Sequence, residues 1–511
     1  MCGWSFSLRT NLLRPLSNGC EQCLAEAAVG GYGWKTCSGH HRDYLAADNP
    51  TNLASGDLNG DGFDDILIGA RSNDANGIQS GRVYLFYGPV SGALAATNAD
   101  AIIEGAAFDE VGRAVARLGD LNGDGFDDIL LGTDAAGGSF QGPRGQVFLF
   151  NGPLSGVRTA ASADAIITGS FANESLGASV ASAGDLNGDG VNDLIIGAPR
   201  FPLNGAGTGR AYVFFGPVSG SLIATQANAI IFGENINDGF GRSVAGGQDI
   251  NGDGIPDVIV GADQLFGTGA GKAYVFYGPL SGNIQASNAN AILTGETDRD
   301  LFGTSVTSVG DFNGDGFSDV TVGAPDNGAG GVRSGRAYTF FGPLTGTISA
   351  ANADAIVTGS AQDELGMSLA GGDFNGDGVP DLITGAPQFA TGAHGYAAIF
   401  FGVGATETTL TLTTRGPIVI PPTGGSFRFR LELSNLSSLT RTFDILLTLT
   451  GPGTQRTIAQ FSQTLGAGES FTRSFTSRIP GRAETGTYIV TGTATVAGQV
   501  EASDSFDLQK Q

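Results

Sequence analysis

Beyond residue 41 the chain has no cysteine and no tryptophan. All four cysteines (Cys2, Cys20, Cys23, Cys37), both tryptophans (Trp4, Trp34) and two of three histidines (His40, His41) come earlier. The rest of the chain therefore has no disulfide framework and no thiol nucleophile. Basic residues are scarce too: 26 against 50 acidic ones, a net charge of -24. That balance excludes a nucleic-acid partner and implies cations. Long apolar runs are also missing. No stretch is long enough to span a bilayer, and "MCGWSFSLRTNLLRPL" lacks the apolar run of about 7 to 15 residues expected of a signal peptide.

Within the first 50 residues, Cys20, Cys23, Cys37 and His40 read C-x2-C-x13-C-x2-H, a spacing compatible with a small zinc knuckle. The plainer reading of residues 1–50 is a poorly ordered leader, or a misassigned start that replaced the true N-terminus.

Glycine, by contrast, is abundant: 84 residues, with 19 prolines, in a chain still 41% apolar. This mixture suits many short strands joined by tight turns. At 511 residues the chain exceeds one compact core, so repeats or several domains are expected.

Repeats are present. One acidic nine-residue pattern begins at Asp57, Asp120, Asp185, Asp249, Asp311 and Asp373, at intervals of 63, 65, 64, 62 and 62 residues. Each unit runs from that loop through an apolar strand such as "DLIIGAP" (193 to 199) and a glycine-rich loop to a second strand such as "GRAYVFFGP" (209 to 217). A linker leads to "NAIIFGE" (228 to 234), and "FGRSVAGGQD" (240 to 249) then enters the next acidic loop. Four short strands per unit, six times over, is the pattern of a β-propeller. Near-continuous apolar runs agree, because a strand between two blades is covered on both faces. Glycine, proline and β-branched residues interrupt every window in which a helical period could develop, which excludes a helical solenoid.

The acidic loop reads D-x-N-G-D-G-x-x-D. Its six copies place candidate ligands at positions 1, 3, 5, 7 (by backbone carbonyl) and 9. These are Asp57, Asn59, Asp61, Phe63 and Asp65; Asp120, Asn122, Asp124, Phe126 and Asp128; Asp185, Asn187, Asp189, Val191 and Asp193; Asp249, Asn251, Asp253, Ile255 and Asp257; Asp311, Asn313, Asp315, Phe317 and Asp319; and Asp373, Asn375, Asp377, Val379 and Asp381. Three carboxylates, an amide oxygen and a carbonyl are the hard oxygen donors that Ca²⁺ takes, and Mg²⁺ fits less well because it demands octahedral geometry. Two carboxylates about 4 Å apart repel by roughly 4 kcal/mol at an effective dielectric near 20, so a loop with three of them favours a cation. An EF-hand would need a glutamate at position 12 in a following helix. Position 12 here is Ile68, Leu131, Ile196, Val260, Val322 and Thr384, all in strand-like sequence.

On these residues the units resemble FG-GAP repeats, the blades of the integrin α-subunit propeller and of many bacterial surface proteins. The namesake pairs stand at Phe240-Gly241 and Phe302-Gly303, with Leu176-Gly177, Leu365-Gly366 and Val111-Gly112 as variants. Gly-Ala-Pro stands at 197 to 199, 323 to 325 and 385 to 387, with drifted versions at 69 to 71, 132 to 134 and 261 to 263. The resemblance implies an all-β, calcium-binding propeller over residues 51–403. The family usually has seven repeats where six are visible here, and here every copy carries the metal loop. The sixth unit lacks the "AII" strand, so its closing strand comes either from residues 1–50 or from "TTLTLTT" (408 to 414) folding back, the second being favoured. Residues 404–511, dense in serine and threonine with alternating apolar positions, read as an immunoglobulin-like β-sandwich.

Strand alternation puts the metal loops on one rim of the propeller. The opposite rim carries variable loops (71 to 81, 134 to 145, 326 to 335) and acids including Asp109, Glu110, Glu174, Glu234, Asp238, Asp298, Asp300, Asp363 and Glu364. Binding usually resides on variable loops of a rigid scaffold, and in integrins the corresponding face meets the ligand. The expected function is a secreted or cell-surface, calcium-dependent adhesion module. It would hold about six structural Ca²⁺ ions and engage an extracellular protein or glycan. Calcium is abundant outside the cytosol, and metal can replace disulfide staples there. The alternatives are the scaffold of a polysaccharide-degrading enzyme, or a lectin. The repeats offer a single histidine, His394, and no tryptophan, and no catalytic constellation is visible.

Overall fold

The computed structural model describes residues 53–90, 95–133, 144–200, 202–203, 206–265, 267, 269–375, 377–388, 395–402, 408–414, 418–435, 441–466, 469–496 and 499–511. The leader with its zinc-knuckle spacing, most of the 134 to 145 loop, and His394 lie outside these residues. The chain divides after Gly402 into two compact units. Among the described residues both are all-β, the only helices being five three-residue 3-10 turns.

Each repeat of the first unit builds one antiparallel sheet. The first contains Leu53–Gly56, Asp65–Ala70, Arg82–Phe86 and Ala101–Glu104; the third contains Ser179–Gly184, Asp193–Ala198, Arg210–Phe214 and Ala229–Phe232. In sheets one to five every residue of the second strand is buried. These are the near-continuous apolar runs of the sequence, packed on both faces. The innermost strands pack in succession: Leu53–Gly56 on Ala114–Gly119, then Ser179–Gly184, Phe240–Gln248, Ser305–Gly310 and Ser368–Gly372. Apolar clusters fill the space between successive sheets, such as Leu67, Leu85, Ile129 and Phe148 between the first two. Six such sheets in order are consistent with a β-propeller.

The FG and GAP signatures meet at these interfaces. Gly241, at φ +87°, crosses between two sheets, and a Cβ built on Gly197 of the preceding sheet would overlap its carbonyl oxygen. That carbonyl accepts from the Ser179 hydroxyl at 3.0 Å. The same bond recurs from Ser243 to Gly303 (2.9 Å) and from Ser305 to Gly366 (2.7 Å). Glycine is required at both places because backbone approaches backbone.

Two features depart from the expected four-strand blade. In sheets one to four a fifth strand, donated by the following repeat, lies parallel on the outer strand: Gly156–Thr159, Gly220–Ile223, Gly282–Gln285 and Gly346–Ser349. The sixth sheet has three strands, Ser368–Gly372, Asp381–Ala386 and Tyr396–Phe400, and residues 408 to 414 do not close it. Instead Thr408–Thr413 pairs with Gly424–Asn435 in the second unit. There Leu410 and Leu412 enter that unit's core while Thr411 and Thr413 face solvent, the pattern of a strand covered on one face only.

The second unit has a three-stranded sheet, Thr408–Thr413, Gly424–Asn435 and Ser470–Pro480. A five-stranded sheet contains Ile418–Ile420, Gln499–Lys510, Gly486–Val496, Arg441–Gly451 and Thr454–Leu465. Phe427, Phe429, Leu431 and Leu433 of the first meet Phe443, Ile445, Leu447 and Val490 of the second in one core.

Candidate metal centre

Each acidic loop joins the first and second strands of its sheet. The position-1 aspartate (57, 120, 185, 249, 311, 373) accepts the position-5 N–H on Oδ1 at 2.8–3.2 Å and the position-6 N–H on Oδ2 at 2.7–2.9 Å. The position-3 asparagine accepts the position-5 N–H on Oδ1 at 2.8–3.0 Å and donates Nδ2 to the position-5 carboxylate at 2.9 Å. The position-5 aspartate in turn accepts the position-7 N–H at 2.8–3.0 Å. The chain wraps around these side chains because, among the described residues, the position-4 and position-6 glycines sit at positive φ, as at Gly188 (+76°) and Gly190 (+89°).

Position 9 behaves differently. Asp65, Asp128, Asp193, Asp257, Asp319 and Asp381 are at most 1% exposed. One oxygen accepts the position-2 N–H at 2.7–2.9 Å. The other accepts the N–H of the glycine beyond the third strand at 2.7–3.0 Å. Each is therefore a tie between the loop and the third strand, a role the sequence did not reveal. Burial pushes Asp65, Asp128, Asp193, Asp257 and Asp319 up to about 6, and the neighbouring loop carboxylates, such as Asp57 and Asp61 beside Asp65, push the same way. Asp381 is raised for the same reasons.

The structure thus brings positions 1, 3 and 5 together and places position 9 within their electrostatic reach. The donor set is wholly hard oxygen, and each carboxylate or amide oxygen that accepts one hydrogen bond keeps a second lone pair. That chemistry fits Ca²⁺. Among the described residues no group of three or more His, Cys, Asp and Glu side chains is drawn together closely enough to hold a metal ion.

At the opposite rim, several acids expected to meet a ligand are interior struts. Glu174 is buried, accepting from the Tyr212 hydroxyl and, at 3.0 Å, from the Phe171 N–H. Glu234 accepts from Lys272 Nζ at 2.6 Å and the Tyr274 hydroxyl at 3.2 Å. Asp300 holds Asn327 at 2.7 Å, and Asp363 holds the Tyr396 hydroxyl at 2.6 Å. Asp238 and Glu364 are buried too. These loops expose apolar side chains, Val332 at 72%, Ile78 at 63% and Ile236 at 59%, with Phe108 beside Ile78, its N–H bonded to the Ile78 carbonyl at 2.8 Å, next to exposed polar ones such as Asp74, Gln79, Asn237, Asp298 and Arg333.

Residues 49–86, 111–150, 176–214, 240–276, 302–340 and 365–399 match the FG-GAP repeat family model. The chain is an FG-GAP repeat protein of integrin α-like type. It is similar to integrin alpha-5 of Xenopus laevis, 31% identical over 230 residues, which cover 42% of this chain and 20% of that protein. It is also similar to a phosphatidylinositol-glycan-specific phospholipase D of Bos taurus, 37% identical over 168 residues, 30% of this chain and 19% of that protein. The chain thus spans about a fifth of the length of these relatives. Among solved structures, a β-glucosidase from Listeria innocua in complex with glucose is 18% identical, covers 20% of this chain and 16% of its own, and has a TM-score of 0.16. So low a score bears on neither fold nor activity. Among the described residues no helix is long and apolar enough to cross a membrane.

Proposed function

We propose that the FG-GAP unit is a calcium-dependent adhesion module that works outside the cell. Each of its six loops takes one Ca²⁺ through positions 1, 3, 5, 7 and 9. The observation that carries this reading is the sixfold recurrence of one hydrogen-bonded loop with hard-oxygen side chains, in a chain whose repeats are similar to those of integrin α subunits. When bound, the ion supplies positive charge among carboxylates that otherwise repel. The side chains hold the bend between two buried strands, and position 9 transmits that order to the third strand.

Contact with an extracellular protein or glycan falls to the opposite rim. There Ile78, Phe108, Ile236 and Val332 expose apolar side chains among polar ones such as Asp74, Asn237 and Arg333. Apolar loop tips on a rigid frame favour a protein partner over a sugar, since no tryptophan platform accompanies them. The second unit acts as an immunoglobulin-like spacer. No observation favours a polysaccharide-degrading or lectin role. A protein and glycan array probed in calcium and in EGTA tests the reading: binding abolished by chelation and by Ile78→Asp with Val332→Asp is expected. Polysaccharide turnover, or binding indifferent to both changes, would refute it.

A further inference from the structure

Among the described residues, four 13-residue segments each serve two sheets at once: 156–168, 220–232, 282–294 and 346–358. Its first four residues lie parallel on the outer strand of the preceding sheet, and its last four form the outer strand of their own. The four copies share the pattern Gly-x-x-x-Ala-x-x-Ala-(Asp/Asn)-Ala-Ile-aliphatic-x, and three of the fixed positions have a visible task. The leading glycine has positive φ, as at Gly220 (+73°), and donates its N–H to a carbonyl ahead of the neighbouring outer strand, Asp164 in that case, at 2.9 Å. The first alanine is buried against that sheet, as Ala224 is. The Asp or Asn accepts the N–H just beyond the third strand of its own sheet, as Asp354 does from Phe341 at 2.8 Å.

The sixth repeat has no such segment. Where it would begin, the chain passes into the second unit, with Thr408–Thr413 already paired there. Among the described residues, nothing pairs with the outer side of Ala355–Thr358 in the fifth sheet or of Tyr396–Phe400 in the sixth. Exposure records the difference. Ala101, Ala165, Ala229 and Ala291 are at most 1% exposed beneath their fifth strands, whereas the equivalent Ala355 is half-buried and Ile356 beside it is 39% exposed. Four of five residues are buried in the third strands of the other sheets, but only Ala398 is in Tyr396–Phe400.

We propose that these two adjacent open edges form one acceptor for an extended segment of a partner protein carrying the Gly-x-x-x-Ala-x-x-Ala-(Asp/Asn)-Ala-Ile-aliphatic pattern. Its leading residues run parallel to Ala355–Thr358 and its trailing residues antiparallel to Tyr396–Phe400. The chain itself shows the occupant four times, so sequence and register both follow from what fits the equivalent places. Main-chain bonds to an exposed edge give the affinity, and the two small alanine sites and the aliphatic site give the selectivity. The site requires neither calcium nor the opposite rim.

The probe is a synthetic peptide, GTISAANADAIVT, copied from residues 346–358 and titrated into the full chain against a scrambled peptide of the same composition. Expected results are binding about tenfold or more tighter than the scrambled control, and protection of the 355–358 and 396–400 amides from hydrogen exchange. Replacing the leading glycine by valine should weaken binding by about tenfold, because that residue needs positive φ. Equal binding of the scrambled peptide would overturn the proposal. So would protection elsewhere, or slow exchange of those amides in the free chain.

Discussion

The hydroxyl of Tyr212 donates to the carboxylate of Glu174, and neither residue reaches solvent. The bond fastens the loop leading into the third sheet to that sheet's third strand. Burial pushes Glu174 up from the ordinary carboxylate range, and Tyr212 up as well. A carboxyl whose folded pKa is raised keeps its proton to higher pH in the folded state than in the unfolded one, so stability is lost as pH rises through the folded value. Glu174→Gln keeps an acceptor and removes the charge. It should therefore raise the melting temperature at pH 8 and leave it unchanged near pH 4. Tyr212→Phe, which strips a buried carboxylate of a donor, should cost about 1–3 kcal/mol by urea titration at pH 8.

The two kinds of loop aspartate should separate under chelation. Asp189 lies at the exposed centre of its loop. Asp189→Ala should lower stability by about 2 kcal/mol in millimolar calcium and by a small fraction of that in EGTA, because the linkage term is lost with the ion. Thermal melts in both buffers measure it, and equal losses would deny Asp189 a role in metal binding.

Asp193, four residues on, ties Leu186 to Gly216 through two buried N–H groups. Asp193→Ala leaves both without a partner, so a loss of about 2–4 kcal/mol is expected even in EGTA, where Asp189→Ala costs little. Denaturant midpoints of the two variants side by side give the comparison.

Gly197→Ala probes the FG-GAP interface. The added methyl would overlap the Gly241 carbonyl, a backbone atom with no freedom to yield. A loss of about 1–3 kcal/mol or more is expected, visible as a lowered urea midpoint with an unchanged slope. A neutral substitution would mean that the sheets do not meet through these glycines.

Much of this was legible because repetition amplifies weak signals. Six copies of one loop fixed the strands on either side, and Phe240-Gly241 against Gly-Ala-Pro at 197 to 199 marked the interface later seen in space. The fifth strands escaped because a segment such as Gly220–Ile223 is four residues long, mostly exposed and held by a parallel neighbour from another repeat. Residues 408 to 414 misled because threonine and leucine alternate equally well in either unit. Their observed pairing with Gly424–Asn435 shows which unit they join. Tertiary contacts alone showed that Glu174 and Asp363 point inward, since an acid in a loop reads as a surface residue until a tyrosine from the sheet's third strand is seen to cover it.

Calorimetric titration of calcium into the chelator-stripped full chain tests the central claim most directly. Uptake of about six ions, accompanied by a melting temperature that climbs with calcium concentration, is the predicted result. A flat titration, with the same melting temperature in calcium and in EGTA, would contradict it.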